Sequence, residues 1–180
     1  MCICDAPLKD VAFCSHCGTL KSIELTSPFQ AFELEEEFFD DIPFLNEKYL
    51  TIQNKLHPDR FLDLAEKKLA EKYSAYINWA YQLLKNSLKQ AEFLLKDFSF
   101  SLSETDLMEQ MEKYNFLESL TSKEEVALFQ KNIEEEKAKT QSEMLHFLKN
   151  KKMENAGSSF MKLKFLSRLL EETFSKQERL

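Results

Sequence analysis

At 180 residues with 43% hydrophobic side chains, the chain is long enough to bury one domain core or two small ones. Its formal net charge of -7, from 24 Lys and Arg against 31 Asp and Glu, repels a polyphosphate backbone and excludes nucleic acid as the expected partner. No stretch has the roughly 18 consecutive apolar residues of a membrane helix, and the first residues have neither the basic flank nor the apolar run of a secretion signal, so a reducing cytoplasm is the expected location.

With only 2 glycines and 4 prolines among many Leu, Lys, Glu, Ala, Gln and Met residues, an all-α fold is expected. Residues 1–24 carry all 4 cysteines and no sustained apolar period, and read as a small Cys-rich module apart from the main core. Within it, Cys14-Ser15-His16-Cys17-Gly18 has the form of a zinc knuckle: two thiolates at CxxC spacing can hold one tetrahedral ion, and Gly18 permits the tight turn behind them. Cys2 and Cys4, at the less common CxC spacing, are the candidate second pair for a structural zinc (Zn2+), with His16 as a substitute ligand. Thiols without metal, or a redox centre, stay as alternatives. An acidic run follows at Glu33, Glu35, Glu36, Glu37, Asp40 and Asp41, and is read as solvated surface.

A short segment from Pro28 to Leu34 has room for about one or two helical turns. Asp40 or Asp41 is then placed to cap a helix entered near Pro43, whose Ile42, Leu45, Tyr49, Ile52 and Leu56 share one face. That helix cannot pass Pro58, which lacks a backbone donor and disfavours helical geometry at His57. Periodicity resumes at Ala65, Leu69, Tyr73, Tyr76, Ala80 and Leu83, a second helix able to lie antiparallel to the first, so His57, Pro58 and Asp59 stand at the tip of a helical hairpin.

Leu88 to Leu95 predicts another helix and Phe98 to Leu102 a connector. Ser103 with Asp106 makes a capping box for a helix bearing Leu107, Met108, Met111, Tyr114 and Leu117; Thr121 with Glu124 repeats the box before a long charged helix with Val126, Phe129, Ile133, Met144 and Leu148 on one side. Gly157 marks a break before a last helix with Phe160, Leu163, Leu166, Leu170 and Phe174. Residues 88–180 are thus expected to form a three-helix bundle.

A His beside an Asp can be a catalytic pair or a surface accident. Here a proline stiffens the backbone between them, and Phe61 follows before the second amphipathic helix. A stiff polar tip between packed helices suits docking, because little ordering entropy remains to be lost. An acid/base role meets a physical objection, since a convex tip offers no cleft for a substrate. No enzyme is expected.

The strings PFQAF, KLHPDRF and YSAYINWAYQLLKN, with the Ile42 to Leu56 helix between the first two, resemble the J-domain over about residues 25–87. SLKQAEFLL, DLMEQMEKYNFLE and MKLKFLSRL resemble the C-terminal domain of HscB, the J-protein family of iron–sulfur cluster assembly, over residues 88–180. The resemblance implies a co-chaperone that carries an iron–sulfur scaffold protein to a DnaK/HscA-type chaperone and stimulates its ATPase. On that resemblance His57, Pro58 and Asp59 dock on the chaperone, with Lys48, Lys55 and Arg60 as a steering positive face. Basic residues are sparse there and Glu47 sits among them, which points to one dedicated chaperone. The resemblance places scaffold binding at Leu107, Met108, Met111 and Glu112, completed by Phe165.

Periodicity alone assigns Leu107, Met111 and Tyr114 to a core, whereas Met108 and Phe165 fall off the main stripes and favour an exposed patch. Asn115 stands where the family usually has a second acid. The tetracysteine extension also has family counterparts, usually with CxxC in both halves. The alternatives are a general J-protein, or a zinc-dependent structural adaptor without scaffold cargo. Oligomeric state stays open, weak self-association included.

Overall fold

A computed structural model of the chain describes residues 8–9, 12–21 and 27–180. They fall into two compact units, Met1–Leu94 and Leu95–Leu180. The described residues are mainly helical, in six α-helices, with short 3-10 turns and one two-stranded ladder. Strands β1 (Leu8–Lys9) and β2 (Phe13–Cys14) pair antiparallel in register Leu8 with Cys14 and Lys9 with Phe13. This ladder is a local departure from an all-α chain.

In the first unit, helix α1 spans Ile42–Lys55 and α2 spans Leu64–Leu84. Asp41 caps α1 by accepting the Phe44 N–H at 3.0 Å, which resolves the choice between two adjacent aspartates. The shared apolar face of α1 packs as expected: Leu45, Ile52 and Leu56 are buried and Tyr49 is half-buried. On α2 the buried row is Ala70, Tyr73, Ile77, Ala80 and Leu84. Ala65, expected to open that row, is exposed in the first turn, before α2 reaches the core.

Polar pairs stitch α1 to α2. Tyr49 Oη and Gln53 Nε2 both donate to Asn78 Oδ1 at 2.8 Å, Tyr81 Oη donates to Asn46 Oδ1 at 2.7 Å, and the Tyr49 and Tyr81 rings stack with centroids 4.1 Å apart. The 3-10 turn Gln30–Phe32 buries Phe32 in the same core, beside Phe29.

Helix α3 (Ser87–Leu94) belongs to this unit, so the expected boundary at 87/88 lies at 94/95 instead. The physical reason is Gln90. Its buried amide accepts the Phe39 N–H at 3.0 Å and donates to Phe39 O and Leu84 O, at 2.7 and 2.5 Å, while Leu94 packs into the first core. The Cys-rich segment is likewise not a separate appendage over its described residues. Ala12 and Leu20 are buried in the first core, and Tyr73 Oη donates to Lys21 O at 2.9 Å.

The second unit is built from α4 (Glu104–Ser119), α5 (Lys123–Lys149) and α6 (Met153–Arg179). Ser103 and Asp106 form the expected capping box of α4. The box of α5 is Ser122 with Glu125, one residue on from the expected Thr121 and Glu124; Thr121 N–H instead donates to Glu125 Oε2 at 3.0 Å. Val126, Phe129 and Ile133 of α5 pack with Phe165, Leu166, Leu169 and Leu170 of α6, and Leu117 is the one buried residue of α4. Gly157 does not break the chain. It lies inside α6, and the ring of Phe100 fills the space where its Cβ would stand. The actual break is the turn at 150–152, where Lys151 adopts φ 56°.

Candidate functional site

The His57 turn is pinned from both sides. Leu56 is buried before it and Phe61 packs against the first core after it, while Pro58–Arg60 forms a 3-10 turn closed by Arg60 N–H donating to His57 O at 3.0 Å. The His57 and Asp59 side chains are 62% and 84% exposed, with Nδ1 and Oδ2 3.6 Å apart. Both side chains stand open to solvent, which leaves the pair suited to recognition by a partner surface.

The expected positive face is thinner than its residue count suggests. Lys48 Nζ donates to Phe32 O and Glu33 Oε2, each at 2.9 Å, and its side chain is only 29% exposed. Its charge is matched locally, and it braces the 3-10 turn against α1. Lys55 is half-buried and Arg60 is exposed.

On α4 the core assignment from periodicity is overturned. Leu107 and Met111 are 49% and 66% exposed and Tyr114 is exposed as well, while Met108, expected on the surface, is 63% exposed and Phe116 joins it. A helix with one buried residue leaves an apolar row for something else to cover. Phe165 corrects the opposite expectation. It is 9% exposed, in the second core, and reaches the row through an edge-on contact with Tyr114, ring centroids 5.5 Å apart. Its off-stripe position misled because the buried face of α6 is wide, taking in Leu163, Phe165, Leu166, Leu169, Leu170 and Thr173. Glu112 is exposed beside Met111, and Asn115 is exposed too. The exposure of Phe116 had no signal in the apolar period, which cannot tell a covered face from an open one.

Charge holds α4 in place. Glu136 of α5 binds Lys113 of α4 at 2.8 Å and Lys162 of α6 at 2.9 Å, and Lys162 lies 3.8 Å from Glu109. Burial pushes the Glu136 carboxyl up, but the two hydrogen-bonded ammonium groups outweigh it and hold the carboxyl below the usual glutamate range. Burial pulls Lys162 down, and the Glu136 carboxylate overcomes this and raises it. Lys176 Nζ adds bonds to Leu117 O and Glu118 O, each 2.7 Å, at the end of α4. Glu109, Glu112, Lys113, Phe116, Phe129, Glu136 and Lys162 line an open groove of about 430 Å³ beside the row.

At the cysteines, Cys14 N–H donates to Thr19 O and Gly18 N–H to Cys14 O, both at 2.9 Å, with Gly18 at φ 71°. The tight turn that a knuckle requires is present, and Cys14 is buried while Cys17 is exposed. Cys2 and Cys4 lie outside the described residues. Among the described residues no cluster of three or more His, Cys, Asp or Glu side chains could hold a metal. No helix among the described residues is long and apolar enough to cross a membrane.

Residues 105–173 match the family model described as the HSCB C-terminal oligomerisation domain. A co-chaperone protein HscB homolog of Aliivibrio fischeri is 32% identical over 166 residues, covering 84% of this chain and 97% of that protein. The Pasteurella multocida homolog is 28% identical over 171 residues, covering 86% and 98%. Among solved structures, the chaperone HscB from Vibrio cholerae superposes with a TM-score of 0.63 at 27% identity, over 86% of this chain and 99% of that one. Human co-chaperone protein HscB shares the fold with a TM-score of 0.71 at 23% identity, over 97% and 94%.

Proposed function

The chain belongs to the HscB family of co-chaperones, and from that premise we propose that it carries an iron–sulfur scaffold protein to a DnaK/HscA-type chaperone and stimulates that chaperone's ATPase. The observation that carries the reading is the open apolar row Leu107, Met108 and Met111 on α4. A row of this kind, rimmed by the charges of Glu112 and Glu109, suits a protein partner with a matching apolar surface. Phe165 supports the row from beneath through Tyr114. His57, Pro58 and Asp59 dock on the chaperone as a preformed element: the turn is already closed at Arg60, so docking orders little chain and binding free energy is left to favour the hydrolysing conformation. Arg60 and Lys55 add positive steering. In single-turnover measurements, ATP hydrolysis by the chaperone should accelerate with this chain and stay at its basal rate with His57→Gln; equal acceleration by the variant would overturn the assignment.

We also propose that Cys14 and Cys17, with Cys2 and Cys4, hold a structural zinc ion, the knuckle turn at Gly18 being what supports it. Elemental analysis should find about one zinc per chain. Chelation should lower the melting temperature of the first unit, since Ala12 and Leu20 beside the turn are part of that core. A metal-free chain with unchanged melting would rule this out.

A further inference from the structure

We infer that Leu62 and Leu64 form an apolar anchor that extends the chaperone-docking turn. The inference rests on the docking reading of His57, Pro58 and Asp59. Leu62 is fully exposed, at 102%, and Leu64 is 68% exposed. Single exposed leucines are ordinary on protein surfaces. These two stand in one short segment, directly after the turn, and that segment is fixed at alternate positions. Phe61 packs into the first core, and the Asp63 carboxylate accepts the N–H groups of Ala65 and Glu66 at 2.9 and 3.0 Å as the cap of α2.

Held between two such points, Leu62 has its backbone ordered while its side chain makes no use of the core. Covering it on binding therefore gains apolar burial at little ordering cost. Lys48 is matched by Glu33 within the chain, which takes one cation out of the long-range attraction. The occupant is the DnaK-type ATPase itself, which must present an apolar patch beside the site that receives Asp59 and Arg60.

The test uses the full chain and each DnaK-type chaperone of the same cell, purified, with single-turnover ATPase rates measured against co-chaperone concentration. Leu62→Ser with Leu64→Ser should raise the half-maximal concentration about tenfold. Scaffold binding and melting temperature should stay unchanged, because both side chains are exposed. Leu62→Ser alone, which leaves the first residue of α2 intact, should give part of that shift. An unshifted double variant would overturn the anchor. Stimulation that survives His57→Gln would instead overturn the docking turn, so the two failures are distinguishable.

Discussion

The hairpin tip and the open face of α4 are built in opposite ways. At the tip, polar residues are carried on an apolar frame, with Leu56 buried before His57 and Phe61 packed after Asp59. On α4 an apolar row is carried on a polar frame: one buried residue, Leu117, and a set of ion pairs through Glu136. A surface that must be recognised by shape and hydrogen bonds gains from a frame that solution conditions barely touch. A surface that is itself apolar cannot also spend its apolar residues on anchorage, and charge does the holding. The frame of the tip should therefore be insensitive to salt where that of α4 is sensitive.

Breaking the apolar frame should have the largest effect. Leu56→Ala removes a buried side chain that is 2% exposed, and should cost about 3 kcal/mol of stability while loosening the tip next to it. Chemical denaturation of the first unit, paired with ATPase stimulation, checks both consequences. Gly157→Ala follows at about 2 kcal/mol, because the added methyl must displace the Phe100 ring from the α6 backbone. Unfolding should be confined to the second unit, with stimulation through the tip intact.

The polar frame should yield less and respond to acid. The folded-state value of Glu136 is held below its ordinary 4.5, so its contribution is present above that pH and is lost as pH falls through the folded value. Glu136→Gln should remove about 1 kcal/mol at neutral pH and flatten the acid limb of α4 stability, which hydrogen exchange along the helix would report. The smallest stability effect belongs to the row itself. Met108→Ala with Met111→Ala should change folding by under about 0.5 kcal/mol, since both are exposed, while scaffold affinity measured by calorimetry falls.

Local signals explain which parts of this design could be read from the chain alone. The apolar stripe of α1, its stop at Pro58 and the Ser103 box are written in adjacent residues, and the structure keeps all three. What failed depended on partners distant in sequence. Gln90 looks like a surface residue until Phe39, 51 positions earlier, supplies its bonds, and with it α3 changes units. Gly157 carries the local sign of a helix end, and the Phe100 ring reverses its meaning. Thr121-x-x-Glu124 and Ser122-x-x-Glu125 both satisfy the box pattern, so only the geometry selects the second. The candidate site divided along the same line. The tip followed from chain order, whereas the exposure of Met111 and the burial of Phe165 depended on how three helices share one core.

The central claim is that two separable surfaces serve two partners. Measuring scaffold affinity and single-turnover ATPase stimulation on the same two variants tests it most directly. His57→Gln should keep scaffold affinity and lose stimulation, and Met108→Ala with Met111→Ala should lose scaffold affinity and keep the stimulation seen without scaffold. Loss of both functions in either folded variant would contradict the account.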